Sequence, residues 1–255
     1  MKKICLFILS ILICSTNPLL AYTQSQYVDD ATWNKLAPFF LPETHPIKAK
    51  LDALFSTRIS LTPKTLEDAG FETPTPREFT HTIVTKHPEL PGYIVKLFSD
   101  DYPKSEVKDL HDRIIGAIIA KETIDRCGHQ SLFKVPKKWI YPLSDKSVVP
   151  PGYYRKNFIL IAEDMKTLSK KENIKKWRSP DVTTEMLTAL YTVVQEAGLD
   201  DSVLISNIKF NSRNKICFVD TGVYHRWPIR FHLLLKSLSP AMQIQWIKLI
   251  EKRKK

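Results

Sequence analysis

The apolar residues of this chain change their spacing near residue 165, and that change constrains the fold more than any other feature. Before it, four segments have strand composition. Residues 78–84 and 93–98 flank the turn-like His87-Pro88-Glu89-Leu90-Pro91-Gly92, and residues 135–141 and 157–162 flank Pro150-Pro151-Gly152. A long helix is expected between the two pairs, over 105–126. There Val107, Leu110, Ile114, Ala117, Ile118 and Ile124 form an apolar stripe, and Gly128 supplies a stop. Shorter amphipathic helices are expected over 29–40 and 46–55, and the Pro- and Thr-rich stretch 62–77 reads as loop or edge structure. After residue 165 helical spacing takes over. Residues 183–197 gather Met186, Leu187, Leu190, Val193 and Val194 on one face and end at Gly198. A short pair of strands follows, around 208–210 and 215–219, joined by Asn211-Ser212-Arg213-Asn214. Two helices close the chain, the second with Ser239 as cap and Pro240 in first position. Strands early and helices late predict an α+β fold in two parts: a strand-rich part over 22–165 and a smaller helical part over 166–255.

The first residues read as an export signal. Lys2 and Lys3 precede an apolar run over 4–14 broken only by Ser10, and Ser15-Thr16-Asn17-Pro18 leads to Leu19-Leu20-Ala21. A charged start, a short apolar run and a small residue at the cleavage point define a secretory leader, here 1–21, and predict a periplasmic or extracellular protein. The rival reading is an uncleaved interfacial or membrane anchor. The run falls short of the roughly 20 residues a membrane span needs. No second long apolar segment follows, so no transmembrane segment is expected in the mature chain. Loss of Lys2 and Lys3 lowers the formal charge from +11 to +9. That balance favours acidic partners. Its cations are scattered, apart from Lys252-Arg253-Lys254-Lys255, and no zinc-finger, RNA-recognition or helix-turn-helix signature accompanies them, so specific nucleic-acid binding is not expected. Beyond the leader only Cys127 and Cys217 remain; they either pair in an oxidising compartment or stay free, with Cys217 inside the apolar Ile216-Cys217-Phe218-Val219. Trp139, Trp177, Trp227 and Trp246 read as packing residues.

Three segments carry candidate chemistry. Lys96 interrupts the apolar Tyr93-Ile94-Val95-Lys96-Leu97-Phe98, so it either points to water from an edge strand or is buried with a partner for its ammonium. Asn207 follows the acidic turn Asp200-Asp201. Asp220 ends an apolar strand and opens Asp220-Thr221-Gly222. A hairpin between Asn207 and Asp220 would set an amide oxygen beside a carboxylate, a pair suited to Mg²⁺.

In this order the segments resemble the protein-kinase-like superfamily over about residues 78–222. The resemblance implies a two-lobed fold, with a strand-rich N-terminal lobe and a small helical C-terminal lobe. It also implies ATP and Mg²⁺ as ligands: Lys96 on the phosphates, Asn207 and Asp220 on the metal, and Glu163 and Met165 at the hinge that follows 158–162. The family's catalytic Asp lies five positions before the metal-binding Asn, which here is Ser202. Asp201, one position earlier, is the candidate base. The acidic partner of Lys96 is open among Glu106, Asp112 and Glu122. No glycine-rich phosphate loop precedes Lys96; the expected stretch reads Thr73-Pro74-Thr75-Pro76-Arg77. Two functions therefore stay open. One is an exported kinase acting on a protein or small-molecule substrate; the other is a non-catalytic pseudokinase or interaction protein using its basic surface.

Overall fold

The computed structural model describes residues 22–72, 76 and 81–252. The expected leader, the strand residues 78–80, the stretch 73–77 apart from Pro76, and the basic residues 253–255 lie outside the described residues. In chain order the first helices are α1 (Asp30–Leu36), α2 (Lys48–Leu54) and α3 (Pro63–Asp68). The last replaces part of the loop expected over 62–77. Thr62 and Thr65 satisfy each other's backbone N–H groups in a capping box, and Pro63 holds the first helical turn. Pro and Thr here start a helix rather than prevent one.

Strands β1 (Ile83–Thr85) and β2 (Tyr93–Leu97) follow, then the long α4 (Val107–Arg126), β3 (Phe133–Lys134), β4 (Lys138–Pro142) and β5 (Phe158–Glu163). The strand expected over 135–141 begins only at Lys138, as β4, since Pro136 has no N–H to give a ladder. β3, which precedes it, belongs to the other sheet. Beyond β5 come α5 (Lys170–Trp177), α6 (Thr184–Ala197), β6 (Ile208–Phe210), β7 (Ile216–Phe218), α7 (His232–Leu235) and α8 (Pro240–Lys252). The fold is thus α+β with two open sheets, ordered β1-β2-β5-β4 and β3-β7-β6. Among the described residues no helix is long and apolar enough to cross a membrane.

The four-stranded sheet is antiparallel throughout and covered on both faces. Val95, Leu97, Ile159 and Ile161 pack with Leu51 of α2 and Leu66 of α3. The alternate residues Ile140, Leu160 and Ala162 pack with Leu110 and Ile114 of α4 and with Leu36 of α1. Because Lys96 is registered opposite Leu160, its side chain belongs to the α4 face. A separate core surrounds α6, whose Leu187, Leu190 and Val194 meet Trp177, Phe210, Phe218 and Trp246, all without exposed surface. Gly198 caps α6 in the left-handed region, at φ +63. A Cβ there would lie 2.6 Å from His225 Cα. This close approach fastens the chain after Gly222 onto the end of α6, next to the 200–207 loop.

Candidate functional site

Lys96 is buried, with 2% of its surface exposed. The edge-strand alternative fails because β2 has β1 on one side and β5 on the other. An ammonium placed there needs partners. Its Nζ donates to the carbonyl of Val219 at 3.0 Å, which carries the Lys96 side chain from the large sheet to the end of β7. The next residue is Asp220. Of the three acids considered for Lys96, Glu106 accepts from the N–H groups of Asn157 and Phe158, Asp112 pairs with Lys108, and Glu122 is exposed. The acid beside Lys96 is Asp220 itself.

Asp220 sits among cations. Arg113, reaching inward from α4, donates to its Oδ1. Lys138 at the start of β4 donates to the Arg113 carbonyl and to Thr221 Oγ1, both at 2.9 Å. Thr221 Oγ1 in turn donates to the same carbonyl at 3.1 Å. Burial alone would push the Asp220 carboxyl up; the charges of Lys96, Arg113 and Lys138 override it and hold the group well below the usual carboxylate range. Lys138 is the converse case. Burial, with repulsion from Lys96 and Arg113, pushes its ammonium well below the ordinary lysine range against the pull of Asp220 and Asp201. The Asp220-Thr221-Gly222 turn can lie this close to α4 because residue 116 is glycine. A Cβ there would stand 1.7 Å from the Thr221 carbonyl oxygen.

The hairpin is formed as the spacing required. Ile208 is registered opposite Phe218, and the Val219 N–H donates to the Asn207 carbonyl at 2.9 Å. The Asn207 amide turns towards the preceding loop, where Nδ2 donates to the Asp201 carbonyl at 3.1 Å and to Asp201 Oδ2 at 3.2 Å. Asp201 rather than Ser202 therefore presents a carboxylate to this cluster. Its Oδ1 is buried with no partner among the described residues. Burial raises the Asp201 carboxyl to about 7, with the Asp220 charge adding to the rise and Arg113 opposing it. Asp200 faces elsewhere: its Oδ2 meets Arg230 Nε and Nη2, and its Oδ1 accepts from the Arg230 N–H.

Beside this cluster lies a cleft of about 450 Å³, with Val84, Ile94, Lys96, Glu163, Met165 and Val219 in its wall. The structure thus brings Lys96, Glu163 and Met165 to one cavity, and gathers Asp201, Asn207 and Asp220 just beyond Lys96. The Glu163 carboxylate is already engaged, accepting from the Lys137 N–H at 3.0 Å, so Glu163 lines the cleft with its acid turned to the protein.

As arranged, the oxygens of Asp201, Asn207 and Asp220 do not fit a divalent cation. Asp220 Oδ1 already accepts from a guanidinium, and two further basic side chains surround the same carboxylate. Arg113 and Lys138 are the two site residues that the sequence reading passed over. The signal was there: Arg113 lies in the apolar stripe between Leu110 and Ile114, and Lys138 shares the face of Ile140 by strand alternation.

Elsewhere, Cys127 and Cys217 are free. Trp177 and Trp246 are core residues as expected, but Trp227 is 50% exposed, stacked beside His225 with its indole N–H on the Gln195 carbonyl. No protein-family model matches the chain, and no curated protein matches its sequence.

Proposed function

We propose that the chain is an exported, two-lobed, kinase-like domain that binds a nucleotide in the cleft beside Lys96. The observation that carries this reading is the path of Lys96. A lysine buried in an interior strand crosses to the Val219-Asp220 turn at the wall of a cavity that Glu163 and Met165 also line. A base would lie between the apolar side chains of Ile94, Met165 and Val219, with its phosphates directed to the Lys96 ammonium. A polyphosphate there would add its negative charge to that of Asp220 beside the buried ammonium.

Asp201 adds a catalytic version of the reading. A carboxyl raised to about 7, with one buried oxygen unpartnered, is suited to take a proton near neutral pH. In that role it accepts the proton of a substrate hydroxyl as the new oxygen–phosphorus bond forms and the bond to the departing nucleoside diphosphate breaks. Arg113 on Asp220 favours the non-catalytic version, because it occupies an oxygen that metal-assisted transfer would use.

Thermal stability of the purified protein titrated with ATP tests the reading beside Lys96→Met and Asp220→Asn. The expected result is stabilisation of the wild-type protein that both variants lose. An absence of any shift at millimolar ATP would refute it. Where ATP binds, phosphate transfer with and without Asp201→Ala separates the catalytic from the non-catalytic version.

A further inference from the structure

We infer that Arg113 takes the place of a metal cation beside Asp220, so that the cleft holds its phosphate ligand without a divalent ion. The inference rests on the nucleotide reading above and concerns how that site is charged. Arg113 is a fixed part of the site. Its side chain is 90% buried (10% exposed) and its carbonyl is gripped by both Lys138 and Thr221. A Cβ at Gly222 would lie 3.5 Å from Arg113 Cγ, so the turn that carries Asp220 packs directly on the arginine stem. The guanidinium therefore stays at the carboxylate, and unlike a lysine it keeps its charge under any burial.

Two observations give this charge a ligand. Arg113 Nε is buried with no acceptor among the described residues, so a donor is left over after the bond to Asp220. A buried guanidinium N–H without an acceptor is costly. An incoming phosphate oxygen would satisfy it with a charge-assisted bond. Lys96, meanwhile, joins the Arg113–Asp220 pair to the cleft: it contacts Val219 and lines the cavity. Together they offer an anion two fixed cations, Lys96 and Arg113, with only one strongly ionised carboxylate between them. A divalent ion brought to the same place would meet those two cations and would have to displace one from Asp220. The usual order is thereby inverted: the protein supplies the positive charge that a metal would otherwise carry in with the nucleotide.

The test is ATP-dependent thermal stability measured in EDTA and again in excess Mg²⁺, with Mn²⁺ electron paramagnetic resonance to follow metal binding directly. Equal stabilisation by ATP in both media is expected, as is a free Mn²⁺ spectrum undiminished by the wild-type protein. Arg113→Gln should weaken metal-free ATP binding about tenfold, the loss of one charge-assisted contact, and Mg²⁺ should restore much of it. Arg113→Lys keeps the aliphatic stem and so guards against a folding defect; because a buried lysine gives up its charge, it should melt near the wild-type temperature without ATP and still weaken metal-free binding. ATP binding that appears only with Mg²⁺, or Mn²⁺ bound tightly by the wild-type protein, overturns the inference while leaving the nucleotide reading intact. Metal-free binding unchanged in Arg113→Gln overturns it too. No stabilisation by ATP in either medium removes both.

Discussion

Replacing Asp201 by Asn should stabilise the protein at alkaline pH and do progressively less as the pH falls. Asp201 is buried beside the ionised Asp220, with Asp200 and the cations Arg113 and Lys138 also within electrostatic reach. Its carboxyl ionises at about 7 in the folded protein, against an ordinary value of 3.8. The folded state therefore holds this proton over a window in which the unfolded chain has released it. Stability from the group is fully present below pH 3.8, falls as the pH rises through the window, and levels off above 7. At about 1.4 kcal/mol per pH unit, the ionised carboxylate costs the fold up to about 4 kcal/mol, and about 3 kcal/mol of that accrues between pH 5 and pH 8. Asparagine keeps the shape and the oxygen that accepts from Asn207 Nδ2, but carries no charge. Urea unfolding of wild-type and Asp201→Asn protein at pH 5 and pH 8 measures the effect. The stability difference between the two proteins should widen in favour of the variant by about 2–3 kcal/mol on going to pH 8. A difference that stays constant with pH would refute the reasoning, because it would mean that Asp201 titrates alike in the folded and unfolded states.

Three further perturbations probe the frame of the site. Gly116→Ala puts a methyl group 1.7 Å from the Thr221 carbonyl oxygen and must push α4 away from the Asp220 turn. A loss of about 3 kcal/mol in chemical unfolding is expected, with weakened ATP binding in the surviving folded protein. Asp100→Ala removes the carboxylate that receives both Arg58 Nε and Nη2 and the Lys156 N–H. It leaves a buried guanidinium uncompensated, so thermal unfolding should report a loss of about 3–5 kcal/mol. Gly198→Ala meets both a left-handed backbone and the His225 Cα, and should lower the melting temperature while loosening the 200–207 loop, seen as faster amide exchange around Asn207.

The elements that sequence reading placed well are those whose burial is one-sided and whose ends are chemically marked. The helix α6 has an apolar stripe, a Thr183 cap and a Gly198 stop, and it lies where the spacing set it. The β6–β7 hairpin follows from the polar turn 211–214 between apolar runs, and that hairpin fixes Asn207 against Val219. Failures came where one residue type serves opposite ends. Pro63 begins a helix inside a stretch read as loop, whereas Pro136, read as part of a strand, lies just outside β4. The helix stop after α4 was legible as well, since Gly128 adopts φ +72, a region that glycine enters at little cost. Trp227 was misjudged because its size argues for burial, while its ring lies across His225 on a surface fixed by the chain's return along α6.

Within the site, the legible residues were those that break an apolar run, and the illegible ones were those whose run was credited to packing. Lys96 stood out because strand alternation leaves no polar position among Val95, Leu97 and Phe98. Arg113 and Lys138 obey the same rule less visibly. Helical stripes tolerate a long basic side chain at their margin, where its stem packs and its head reaches water, so a single Arg in α4 raised no conflict. Burial removes that escape. With Lys96, Arg113 and Lys138 all under 9% exposed on three different elements, their convergence on Asp220 cannot come from surface periodicity or from one local preference. Such a cluster opposes folding through mutual repulsion unless anionic charge answers it. Asp220 lies within reach of all three cations, and burial lowers the charge on Lys138. In the reading proposed above, a phosphate entering along the cleft beside Lys96 adds further anionic charge to the same cluster.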